Sequence, residues 1–241
     1  FVETASAQVK VATLEELQDA LAGNDGDIIV TKTIVIDEDL TLNGGGKTVK
    51  LDSNARIRLI NSATFEHITI DGGELQRSYP LVVVEGNGGV TLTLGDGAII
   101  QNARTSRNGG ASSKLQINGG SILNCTSQNG GGIYLGSYSV VQMDDGTISR
   151  CKADENGGAI FSYVDSGSNE VNLTGGTIEG NSAKIGGGVY INYYTVVEPT
   201  TAPLPFKAAK RAASGAAFNR TGGALCGNTA TEGGADLAIV S

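Results

Sequence analysis

A short unit recurs through the second half of the chain, and a recurring unit constrains the fold strongly because each copy must bury its apolar side against its neighbours. Four copies read Gly119-Gly120-Ser121-Ile122-Leu123-Asn124-Cys125, Asp145-Gly146-Thr147-Ile148-Ser149-Arg150-Cys151, Gly175-Gly176-Thr177-Ile178-Glu179-Gly180-Asn181 and Gly222-Gly223-Ala224-Leu225-Cys226-Gly227-Asn228. A degenerate fifth copy precedes them, Asp96-Gly97-Ala98-Ile99-Ile100-Gln101-Asn102. The anchors Gly97, Gly120, Gly146, Gly176 and Gly223 stand 23, 26, 30 and 47 residues apart. A second glycine cluster follows each anchor, at Gly109-Gly110, Gly130-Gly131-Gly132, Gly157-Gly158, Gly186-Gly187-Gly188 and Gly233-Gly234. Three clusters run into short apolar strands, Ile133-Tyr134-Leu135, Ile160-Phe161 and Val189-Tyr190-Ile191.

Helical repeats would show a 3.6-residue apolar period over about ten residues, and none is present. Two or three short strands per period, punctuated by glycine, predict instead one coil of a parallel β-helix. The 36 glycines of the 241 residues suit its corners, while four prolines and no three-residue period exclude collagen. The first 95 residues continue the pattern more loosely. Thr13 to Leu21 reads as an amphipathic helix with Thr13 as N-cap, Glu16 completing a capping box and Gly23 ending it; Leu14, Leu17 and Leu21 share a face. Such a helix is a natural lid for an open coil end. Strands follow at 27–30, 33–36, 40–42, 48–51, 57–60, 67–70, 81–84 and 90–94. The expected organisation is a leader and capping helix (1–26), coils (27–198), an inserted loop (199–217) and a last, incomplete coil (218–241).

The helix, the segment Gly26-Asp27-Ile28-Ile29-Val30 and the Gly-Thr-Ile-x-x-Asn and Gly-Gly-Ala-Ile units together resemble the pectin-lyase-like right-handed parallel β-helix superfamily. Within it, the Ile-x-x-Asn and Gly-Gly-Gly-Val-Tyr pairing is similar to repeats of bacterial surface adhesins, including polymorphic outer-membrane proteins. The likeness in fold covers most of the chain, and the adhesin-like units cover residues 95 to 241. It implies an all-β solenoid with an N-terminal capping helix. These motifs specify a coil rather than a reaction.

Alternation assigns faces. Ile99, Ile122, Ile148, Ile178 and Leu225 are expected to stack inward, and Asn102, Cys125, Cys151, Asn181 and Asn228 to form an internal ladder. Neighbouring coils lie about 4.8 Å apart, so Cys125 and Cys151 can be either two reduced thiols or a disulfide. Cys226 should point outward. On another wall, Tyr134, Ile160 and Tyr190 share an outward position between inward Ile133, Ala159 and Val189 and inward Leu135, Phe161 and Ile191. Tyr163 and Tyr193 share the position beyond the strand.

Seventeen basic against 25 acidic side chains, net charge −8, speak against a nucleic-acid binder. No apolar run reaches the roughly 18 residues of a membrane span. The single histidine, His67, closes most histidine-based metal sites and triads, and reads as a strand or turn residue. Enzymes of the superfamily use clustered carboxylates, often with calcium or a basic residue. The candidates here are Asp144-Asp145, Asp154-Glu155 and Asp37-Glu38-Asp39, and the repeat alignment stacks none of them into a cluster. No catalytic, metal or cofactor residue is therefore assigned.

The 47-residue spacing places an insertion near Glu198 to Ala217, opened by Pro199, Pro203 and Pro205 and carrying Phe206, Lys207, Lys210 and Arg211. Long loops in repeat scaffolds often bind, although a merely tolerated insertion fits as well. The binding residues expected are Tyr134, Tyr163, Tyr190, Tyr193, Phe206, Lys207, Lys210 and Arg211. Ala5-Ser6-Ala7 fits either an export cleavage site or an ordinary leader. The expectation is a non-catalytic, secreted or cell-surface bacterial module of adhesin type, part of a larger surface protein, touching a host or environmental glycan or glycoprotein. A polysaccharide lyase or glycoside hydrolase is the alternative.

Overall fold

Triplets such as Ile28–Val30, Ile34–Ile36 and Ile57–Leu59 bury their first and third residues and leave the middle one half-exposed. That two-residue period is what a strand with one buried face requires. The structure, a computed structural model, describes residues 8–23, 26–73, 75–85, 89–105, 114–164, 167–192 and 215–240. Gly109, Gly110, Tyr193, Phe206, Lys207, Lys210 and Arg211 lie outside the described residues.

The chain is all-β apart from the helix Leu14–Ala22, and every described strand pair is parallel. Each strand pairs with its counterpart one repeat away, so the sheets curl around a single apolar interior. Among the described residues there are sheets of 14, six, four and three strands. The large sheet forks. Leu40–Leu51 and Ala63–Asp71 are long strands, and beyond them each repeat splits this wall into two short ones, as in Val140–Met143 and Thr147–Ser149. With Lys152–Asn156 and Ile160–Ser162 that repeat carries four strands, one or two more than its sequence pattern predicts.

Thr13 caps the helix as expected, its hydroxyl accepting from Glu16 N–H at 3.2 Å. The capping box closes one residue early: the Glu16 carboxylate accepts from Ala12 N–H rather than that of Thr13. Leu17, Ala20 and Leu21 are buried, and Leu14 packs at the core's edge. Val9–Val11, read from sequence as leader, is a strand paired with Ile28–Val30.

The inward aliphatic ladder exists with one correction. Its members are Val9, Ile28, Val49, Ile70, Ile100, Ile122, Ile148, Ile178 and Leu225, so Ile100 and not Ile99 occupies the slot. The same one-residue slip puts Ala103, not Asn102, in line with Cys125, because the degenerate unit has Gly97-Ala98 where the others have their anchor glycine, and Ala98 takes the anchor position. Asn102 instead joins a column of left-handed corner residues, Asn102, Asn124, Arg150, Gly180 and Gly227, with φ of 56°, 55°, 54°, 62° and 64°.

The corner ladder itself runs Ala103, Cys125, Cys151, Asn181, Asn228. Asn228 Oδ1 accepts from Asn181 N–H (3.0 Å) and Nδ2–H (2.9 Å), and Asn181 Oδ1 accepts from Cys151 N–H at 2.8 Å. Each amide also donates to the carbonyl of an aliphatic ladder residue one repeat back, Asn228 to Ile178 and Asn181 to Ile148, both at 3.0 Å. Cys151 Sγ reaches the Ile122 carbonyl in the same way at 3.8 Å, and also the Ser149 carbonyl of its own repeat at 3.5 Å, while Cys125 Sγ donates to the Leu123 carbonyl at 3.3 Å. Cysteine thus fills the asparagine slot with weaker bonds, made mostly within its own repeat. Both ladder thiols are free and buried, and Cys226 is free and exposed.

The second glycine clusters turn the next corner. Gly130, Gly157 and Gly186 have φ of 66°, 66° and 65°, and a Cβ there would meet the Ile133, Ile160 or Val189 carbonyl within 2.6 Å. Only glycine fits without displacing the strand that follows.

Candidate binding surface

Outward from those corners run Ile133–Leu135, Ile160–Ser162 and Val189–Asn192. Their register pairs Ile133 with Ile160 and Val189, and Tyr134 with Phe161 and Tyr190. The expected assignment is one residue out in the middle strand. Ile160 is fully buried, Phe161 faces outward between the two tyrosines, and Ser162 takes the inward slot. Ala159, read as aligned with Ile133, sits at the corner instead, because the middle cluster Gly157-Gly158-Ala159 spends a third residue on the turn that Gly130-Gly131-Gly132 spends on glycine.

The ridge is therefore more aromatic than its sequence alignment indicates. Phe161 stacks on Tyr134 at 5.3 Å between centroids and on Tyr190 at 5.2 Å, with interplanar angles of 26° and 12°. Tyr163 lies parallel to Phe161 at 6.4 Å. Offset stacks of this kind contribute about 0.5–1.5 kcal/mol per pair beyond area burial. Phe161 is only 7% exposed, covered by its neighbours, whereas Tyr163 is 39% exposed. Burial pushes the Tyr190 hydroxyl up from its usual pKa, so it stays a hydrogen-bond donor at physiological pH. Because Tyr134, Phe161 and Tyr190 turn their faces to one another, the ridge is approached from its ring edges, with Tyr163 as the most exposed ring.

A second surface has no counterpart in the sequence reading. On the outer side of the large sheet, Thr41, Thr64, Thr93, Gln116, Gln142, Asn172 and Asn219 form one in-register column. Its threonine end, with Asp39, Ser62 and Thr91, lines an open groove of about 420 Å³. The signal was present as uncharged polar residues two apart in successive strands, but their spacing varies too much to align without the register.

The acidic candidates are dispersed. Asp144 accepts from Gln142 Nε2 and Thr174 Oγ1, each at 2.5 Å, and these bonds hold its carboxyl below the usual range. Asp145 accepts from Gly146 N–H, Glu155 from Gln128, and Asp39 from Ser62 N–H. These are turn and inter-strand contacts. His67 lies inside the strand Ala63–Asp71, not at its start, and is exposed at φ 47° beside Gly97. Among the described residues no three His, Cys, Asp or Glu side chains group as metal ligands, and no helix is long and apolar enough to cross a membrane. Set against known proteins, the chain matches no family model, no curated protein and no solved structure.

Proposed function

We propose that the chain is a right-handed parallel β-helix of the pectin-lyase-like kind, acting as a non-catalytic binding module of a secreted or cell-surface bacterial protein. Its partner is a glycan or glycoprotein. The observation that supports this is the aromatic stack Tyr134–Phe161–Tyr190 with Tyr163 beside it, an ordered amphipathic ridge on the outer wall. Tyrosine so held loses little side-chain entropy on binding and pairs an apolar edge with a hydroxyl. The uncharged polar column of the neighbouring wall adds hydrogen-bonding capacity suited to sugar hydroxyls.

Binding to an array of glycans and glycoproteins tests the reading. Tyr163→Ala should weaken the best binder about tenfold or more, as hot-spot truncation does, while leaving the melting temperature nearly unchanged. Equal binding by wild type and Tyr163→Ala would remove the ridge from the reading. Release of reducing ends or unsaturated uronates from any polysaccharide would replace it with the enzyme alternative.

A further inference from the structure

Cys125 and Cys151 occupy equivalent places on consecutive repeats. The pairs Leu123–Ser149 and Thr126–Lys152 bracket them in register, so their Cα atoms lie one strand spacing apart, about 4.8 Å. That falls inside the roughly 4.4–6.8 Å range that a disulfide spans. The side chains are both buried in the core: Cys151 Sγ leans back toward the Cys125 repeat, reaching the Ile122 carbonyl at 3.8 Å, while Cys125 Sγ donates to the Leu123 carbonyl at 3.3 Å. Cys125 also lines a cavity of about 90 Å³, walled by Ile122, Ile133 and Gly130 to Gly132 among others. A water molecule's share of the liquid is about 30 Å³, so the cavity has room for a two-oxygen oxidant.

We propose that Cys125 and Cys151 are an oxidisable pair, a modification site at which hydrogen peroxide forms a disulfide clamping two repeats together. Cys125 lines that cavity and Cys151 does not, so Cys125 meets the oxidant first and is the attacking sulfur. The Cys125 thiolate attacks one peroxide oxygen. The O–O bond breaks, an S–O bond forms, and the departing hydroxide takes up the Cys125 proton as water. Cys151 sulfur then attacks the sulfenic sulfur; the S–S bond forms, the S–O bond breaks, and the second hydroxide leaves as water with the Cys151 proton. Two sulfurs are oxidised, one peroxide is reduced, and two waters result.

The experiment uses the full chain with Cys226→Ser, which removes the exposed thiol from intermolecular chemistry. Folded protein is exposed to hydrogen peroxide at a dose that oxidises the urea-denatured protein, then denatured and its thiols counted. The expected count falls from two to zero and returns to two with dithiothreitol. Peptide mapping shows a Cys125–Cys151 link, and the oxidised form melts higher by roughly 5–10 °C. With Cys151→Ser added, the reaction stops at a dimedone-reactive sulfenic acid on Cys125. Two thiols surviving in the folded protein would overturn the assignment. So would sulfinic acids on both residues with no link between them.

Discussion

The corner interior solves one problem twice, and the two solutions differ in kind. From Cys125 to Asn228 a column of small residues fills the corner repeat by repeat, and the two asparagines answer the buried backbone groups of the repeat before them. Below that column, where the six-stranded sheet begins at Gln76–Arg77, there is no strand in that sheet to pair with among the described residues. There Arg77 does alone what a strand would do. Its side chain is 2% exposed, and its guanidinium donates to the carbonyls of Asp52 (2.6 Å), Ala55 (3.1 Å), Gly72 (3.1 Å) and Leu51. Burial pushes its pKa down, and Nε finds no partner. In the column of Arg77 itself, two residues on from the corner ladder, the later repeats carry Thr105, Ser127, Ala153, Ala183 and Ala230, small residues that need no such reach. A periodic solution tolerates exchange between residues of similar shape; a single-residue solution does not.

The largest test of this contrast leaves the corner intact and breaks the aliphatic ladder behind it. Ile148→Asp puts an unpaired charge at a position with no exposure, inside a stack nine residues long. An uncompensated buried charge costs several kcal/mol even after relaxation, a large share of the roughly 5–15 kcal/mol available to a domain, so no cooperative melt near the wild-type temperature should remain by circular dichroism. A folded, sharply melting protein would refute the facing assignment. Arg77→Met comes next, since it leaves several carbonyls buried and unanswered; a loss of about 3–5 kcal/mol in urea unfolding is expected.

Within the periodic column, Asn181→Ala strips partners from Cys151 N–H and the Ile148 carbonyl and should cost about 2–3 kcal/mol. Cys151→Asn should be neutral or stabilising, because the slot already holds asparagine on the next repeat. If Cys151→Asn destabilised as much as Asn181→Ala, the two ladder segments would not be equivalent. Arg150 holds a left-handed corner that Gly180 and Gly227 hold on later repeats. Arg150→Gly should therefore raise stability by about 1 kcal/mol in the same assay.

The smallest effect lies at the lower corner. Burial opposes ionisation of Asp71, but hydrogen bonds from Gly73 N–H, Asn102 and Gln101 outweigh it and hold the carboxyl below its usual range. A depressed folded pKa stabilises above the unfolded value of about 3.9 and ceases to do so as pH falls through the folded value. Asp71→Asn should therefore melt lower at pH 7 and fall less steeply between about pH 4 and pH 2.

How much of this was legible beforehand follows the same division. The anchor glycines, the inward isoleucines from Ile122 onward and the asparagines of the corner were readable because each recurs in a recognisable unit. Where one unit is degenerate the reading slipped by a single residue, at Ile99 and Asn102, and again at Ile160, where Gly157-Gly158-Ala159 disguised the turn. A one-residue error in a strand reverses every face, which is why Phe161 was taken as core although it sits in the middle of the outer stack. Arg77 carried no signal, because an isolated arginine in a glycine-punctuated stretch reads as solvent-exposed. The threonine–amide column was invisible for a different reason: its members belong to strands 23 to 47 residues apart, and only pairing lines them up.

By itself the sequence determined the parallel repeat, the helix that starts it, the left-handed glycine corners and the inward direction of Cys125 and Cys151. These follow from local rules: a two-residue period for facing, and a positive φ that only glycine and a few others tolerate. Tertiary structure alone decided which residues of different repeats meet. It stacked Phe161 between Tyr134 and Tyr190, left the two ladder thiols free rather than bridged, and gave Arg77 its carbonyls. Lateral register is a contest between whole strands, settled by the summed packing of every inward side chain, and no single residue announces the result.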